Sequence, residues 1–160
     1  MTDHHLDVEP SEHRRYHAYL QALEDVPEAG EADLVANVLR DQNMAMAEAA
    51  VNRHVARRAA QLLTNPQFTS WAQIMATAIG DRPFLTRRLG EWALLRALAL
   101  DEPWTAEELI TASDWFQRTA SAAQIVTSPE ALGLLAERGR TRRVRNAAIR
   151  RLQRLDQQPN

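Results

Sequence analysis

Cysteine and lysine are both absent from the 160-residue chain. Without cysteine there is no disulfide, no thiolate nucleophile and no cysteine-ligated zinc or iron–sulfur centre. Without lysine every basic side chain is an arginine, nineteen in all, and because the preference is uniform it reads as codon bias rather than selection for bidentate donors. Only five glycines occur. They stand where helices end or pack, none builds a phosphate-binding loop, and no G-x-S-x-G is present. No apolar run approaches the roughly eighteen residues of a membrane span. The opening stretch MTDHHLDVEPSEHRR has none of the apolar character of a signal peptide, so a cytoplasmic protein is expected. No segment alternates apolar and polar residues long enough to suggest a strand.

What remains is helical. With 45% apolar residues the chain can bury one core of ordinary domain size, and the fold class expected is all-α. The net charge of −2 hides a polarity: residues 1–50 carry eleven acids against three arginines, and residues 51–100 two against seven. Stop and start signals divide the chain into about eight or nine helices. Ser11 is expected to cap a helix running to about Asp25, with Pro27 to Gly30 breaking it. A short helix follows from Glu31 to Arg40, and a long one over 44–64. Asn65-Pro66 opens the next, which Gly80 ends. Pro83 to Leu100 is the most apolar helix. Thr105-Ala-Glu-Glu108 is a capping box, Ser113 or Asp114 starts another helix, Ser128-Pro129 a third, and Thr141 caps the last, after Gly139.

The chain also repeats itself. AAQLLTNP at 59–66 aligns with AAQIVTSP at 122–129, and TRRLGEWAL at 86–94 with TRRVRNAAI at 141–149, in the same order. A shorter echo links WTAEEL at 104–109 with TSPEAL at 127–132. Periods of this size mark stacked helical units that bury apolar faces against their neighbours.

SPEALGLLAERGRTRRVRNAA (128–148) and EPWTAEELITASDWFQRTASAA (102–123) resemble the leucine-rich variant and HEAT-like, armadillo-type helical repeats. Those pair a helix opening at Thr/Ser-Pro-Glu-x-Leu with an apolar-Arg-x-x-Ala-Ala helix. Val144-Arg145-Asn146-Ala147-Ala148 carries the second signature, and Phe116 to Ala120 and Val55 to Ala60 carry it more loosely. The resemblance covers about 44–155 and implies a short α-solenoid with a binding role. The organisation expected is an acidic helical segment at 1–43 packing on the repeats, a repeat region at 44–155 and a tail at 156–160.

Residues 138–154 hold eight arginines and no acid. On a helical wheel Val144, Ala147, Ala148, Leu152 and Leu155 share one face, while Arg143, Arg150 and Arg154 form a stripe on another. That stripe could contact phosphates or an acidic protein surface, or be the solvated face that a terminal repeat needs. Arg87 and Arg88 join it as candidate binding residues. So does Trp104, placed between Pro103 and a capping threonine, where an aromatic serves either as a staple or as partner-facing surface. The other tryptophans, Trp71, Trp92 and Trp115, read as core.

Arg151 and its aligned counterpart Arg96 fall inside apolar stripes. A buried guanidinium requires a carboxylate or helix-end carbonyls. The HEAT-like resemblance implies Asp–Arg pairs between units, so Asp114 and Asp81 are candidate partners, and the role expected of Arg96, Arg151 and Asp114 is structural.

His13 and His17 stand four residues apart, with His4, His5, Asp3, Asp7, Glu9 and Glu12 upstream. The spacing would allow weak zinc or nickel binding, but with no HExxH the expectation is no metal and no cofactor. No carboxylate pair for acid–base work stands out. The function expected is therefore a non-enzymatic module that binds a protein partner. The alternatives are a nucleic-acid binder using arginines of 53–58, 82–88 and 138–154, and, behind it, an enzyme resembling the HEAT-like DNA glycosylases that remove alkylated bases.

Overall fold

A computed structural model describes residues 4–158, with side chains from residue 11 onward. All regular structure among these residues is helical: α1 His4–Asp25, α2 Glu28–Val38, α3 Met44–Leu62, α4 Phe68–Ile79, α5 Pro83–Leu100, α6 Ala106–Thr111, α7 Asp114–Ala122, α8 Pro129–Arg138 and α9 Arg142–Asp156. No helix among them is long and apolar enough to cross a membrane.

Most ends follow local chemistry. The Thr105 hydroxyl accepts from the Glu108 amide while Glu108 reaches back, closing the capping box. The hydroxyls of Ser113, Ser128 and Thr141 accept from the amides of Phe116, Ala131 and Val144. Each satisfies a donor that the first helical turn leaves open. Gly80 ends α4 at φ 65°, a left-handed conformation in which a side chain would be strained. Gly139 ends α8 for a different reason. A Cβ there would stand 2.6 Å from the Leu135 carbonyl oxygen and 2.7 Å from a Val144 methyl.

Three boundaries differ from the sequence expectation. Ser11 lies inside α1 and caps nothing, because an interior serine costs under about 0.7 kcal/mol and does not stop a helix. The break after α1 is Pro27 alone. Gly30 is already in α2, where Glu28 and Glu31 occupy the first turn and favour the positive helix end. Asn65 does not open α4. Its side chain accepts from the Gln67 amide at 2.8 Å to form a local turn, and Gln67 is the cap residue.

The contacts divide the chain into two compact units, residues 1–89 and 90–160, with the boundary inside α5. In the first unit α1 packs on α3 and α2 on α4. Val35, Val38, Val51, Val55, Phe68, Met75 and Ile79 are among its buried core residues. In the second, α6 packs on α8 and α7 on α9, α8 also packs on α9, and Leu109, Phe116, Leu132, Leu135, Val144 and Ala148 are buried. Packing each helix on the one two places ahead is the contact pattern of stacked helical hairpins.

One side-chain device recurs in both units. Arg82, two residues past the end of α4, donates to the Ile79 carbonyl at 2.7 Å and to the Leu39 carbonyl at the end of α2 at 2.9 Å. Arg140, just past the end of α8, donates to the Ala112 carbonyl at the end of α6 at 3.1 Å. In each case an arginine satisfies a carbonyl left open at the end of the neighbouring helix.

Candidate binding surfaces

The arginines of α9 divide sharply by environment. Arg143, Arg150 and Arg154 are exposed, as are Arg138 and Arg142, and no carboxylate among the described residues lies within ion-pair distance of them. Arg145 turns back to the Gly139 carbonyl at 2.8 Å. Arg151 is 7% exposed and donates to the carbonyls of Ala123 at 2.6 Å, Val126 at 2.6 Å and Gln124 at 3.5 Å. These oxygens follow the end of α7, where the chain has left the helix. Burial pushes the Arg151 pKa down, with the charge of Arg154 adding to it.

The partners of Arg151 are therefore carbonyls. Asp114, considered for that role from sequence, is held on its own helix by Arg118 at 3.0 Å, and Asp81 is exposed. Arg96 has an 11% exposed side chain and approaches Glu102 at 4.0 Å. Of its neighbours on the apolar stripe Leu89 and Trp92 are buried and Ala93 and Leu100 exposed, and Leu94, Leu95 and Leu98 are buried as well, so α5 is covered on more than one side.

Arg87 is exposed, and Arg88 lies with its guanidinium 5.2 Å from the Phe84 ring centroid. Trp104 is half-buried, immediately before the Thr105 cap. The Trp92 and Trp115 rings meet at a tilt of 57° with centroids 5.4 Å apart.

Trp71 belongs to a network that the sequence reading missed. Glu31 of α2 is 3% exposed. Its Oε2 accepts from His54 Nε2 at 2.7 Å, from Arg58 Nε at 3.0 Å and from the Trp71 indole at 3.2 Å. Arg57 donates to His54 Nδ1 at 2.9 Å and to the Leu23 carbonyl at 3.3 Å. A guanidinium can only donate, so Nδ1 accepts, and the His54 proton sits on Nε2, facing Glu31. Burial pushes the Glu31 carboxyl up, but the hydrogen bonds from His54, Arg58 and Trp71 and the charge of Arg58 outweigh it. The result is a pKa lowered from 4.5 to about 2.

A cleft of about 280 Å³ opens beside this network, lined by Glu24, Glu28, Arg57 and Arg58 among others. The buried Oε2 of Glu31 is spent on three donors, and the arrangement ties α2, α3 and α4 together.

Arg15 and Tyr19 of α1 do the same for the α2–α3 turn. Both bond Asp41, Arg15 at 3.2 Å and Tyr19 at 2.7 Å. These bonds, with one from the Asn43 amide, lower the Asp41 pKa.

Of the cluster 53–58, Arg57 and Arg58 are thus turned toward the acidic N-terminal segment and Arg53 is exposed. His13 and His17 lie on the exposed side of α1 with their Nε2 atoms 3.1 Å apart. His4, His5, Asp3, Asp7 and Glu9 fall outside the residues whose side chains are described. No family model matches the chain, and no curated protein or solved structure matches it significantly.

Proposed function

We propose that this chain is a non-enzymatic, HEAT-like helical-repeat module that binds a protein partner, with the exposed edge of α9 facing an acidic surface of that partner. The observation that carries this reading is the use made of the arginines. Arg57, Arg82, Arg140, Arg145 and Arg151 hold backbone carbonyls, and Arg15, Arg58 and Arg118 hold carboxylates. Side chains spent on the fold are not available to neutralise phosphates, which weakens the nucleic-acid reading. Arg143, Arg150 and Arg154 are among the exposed arginines that remain, one short row on α9 with no aromatic side chain interleaved. A row of this size suits complementary charge at the rim of a protein interface, where it steers encounter and sets register.

The test is capture from the native host's lysate, comparing the wild type with a variant in which Arg143, Arg150 and Arg154 are all glutamate. A protein retained by the wild type, resistant to nuclease and lost from the variant supports the reading. Retention that vanishes with nuclease, or a partner held equally by both chains, contradicts it.

A further inference from the structure

We propose that His13 and His17 form a two-histidine site for a divalent transition-metal ion on the exposed face of α1. Spacing alone places both residues on one side of the helix but leaves the ring directions open, and without an HExxH the sequence carries no expectation of a metal. The structure supplies those directions. The two Nε2 atoms approach to 3.1 Å, a hydrogen-bond distance at which a bound ion would take the place of the shared proton, and the rings meet edge to face with centroids 4.4 Å apart.

That separation matches the bite of a bound ion. Two imidazole nitrogens each about 2.05 Å from a metal stand about 3.3 Å apart at a tetrahedral angle and about 2.9 Å apart at a right angle. The observed distance falls between the two. Both residues are exposed, so an ion held here keeps open positions for water. Among the described residues no third histidine, aspartate or glutamate joins the pair.

Two neutral imidazoles set the class of ion. Nitrogen donors suit copper, nickel and zinc, whereas magnesium and calcium require oxygen. For a given site of this type affinity rises from nickel to copper. The ion would bridge one turn of α1 and stabilise the helix through its differential binding to the folded state.

The test is isothermal titration calorimetry of the full chain with Ni²⁺, repeated with Mg²⁺, for the wild type and for His13→Gln and His17→Gln. Loss of an outer-shell partner alone costs about 10- to 100-fold in metal affinity, so loss of either ligand should weaken nickel binding at least tenfold. Both side chains are exposed, so neither substitution disturbs the core, and circular dichroism checks the helix content. The expected result is one saturable nickel site weakened in both variants, with no heat from magnesium. The proposal is overturned if either variant titrates like the wild type, which would place the ion elsewhere, on His4 and His5 for instance. Failure of the wild type to saturate by about 1 mM Ni²⁺ overturns it as well.

Discussion

Glu31 shows how one buried charge is made tolerable. Isolated, a carboxylate at 3% exposure would take up a proton rather than stay charged. Three donors on one oxygen, one of them the Arg58 guanidinium, keep it ionised instead. Its folded pKa lies below its unfolded value, so the stability it contributes is present above pH 4.5 and is lost as the pH falls through 4.5 toward 2. At about 1.36 kcal/mol per pH unit that contribution is on the order of 3 kcal/mol. Urea unfolding followed from about pH 7 to pH 3 should show the loss, and Glu31→Gln should flatten the curve across that window while lowering stability at neutral pH. Arg151 is the opposite case, a buried cation with carbonyl partners only. Replacing it with methionine keeps much of the stem's packing but leaves the carbonyls of Ala123 and Val126 without their donor. The expected cost is about 1–3 kcal/mol, read from the urea midpoint at unchanged slope. A loss below about 0.5 kcal/mol, the size of an ordinary surface change, would show that water replaces the guanidinium.

At the scale of the element, the ends of helices are what the sequence declared most plainly. Thr105, Ser113, Ser128, Thr141 and Gly80 are legible because each acts on amides or angles within a few residues of itself. Ser11 misled because a cap signal is a preference and not a stop. The network around Glu31 was illegible for another reason. Its other members lie 23 to 40 residues from Glu31, on two other helices, and in sequence Glu31 looks like any acid in a first helical turn. His54 on the buried side of α3 was the available clue, since a histidine among alanines and valines needs a partner. The inward position of Arg151 could be read from the wheel, but the carbonyls it meets depend on where α7 unwinds. The turn between α8 and α9 gives a direct check on element packing. Gly139→Ala would drive a methyl group to 2.6 Å from a backbone oxygen and 2.7 Å from Val144, so α9 must shift. The expected loss is about 1–3 kcal/mol, as for overpacking, against no more than about 0.5 kcal/mol for Gly133→Ala, whose Cβ would meet nothing within 4 Å. Equal effects of the two substitutions in urea unfolding would contradict the close approach.

For the whole molecule, the two units share a construction rule: helices stack on the one two places ahead, and an arginine beyond a glycine-ended helix holds the end of its neighbour. Residues 59–66 and 122–129 span the ends of α3 and α7 and the turns after them, and 86–94 and 141–149 lie in α5 and at the start of α9. Five of the nineteen arginines thus hold backbone carbonyls, and that the exposed row on α9 adds no phosphate-binding site is the central claim. It is tested most directly by fluorescence anisotropy of a labelled DNA duplex titrated with the wild type and with the variant in which Arg143, Arg150 and Arg154 are glutamine, across a series of salt concentrations. The account predicts binding no tighter than the non-specific range of about 10⁻⁴ to 10⁻⁶ M at physiological salt, with the same salt slope for both chains. Sub-micromolar binding whose slope of log K against log salt becomes shallower by about 2.7 in the variant, three phosphate contacts at about 0.9 each, would contradict it.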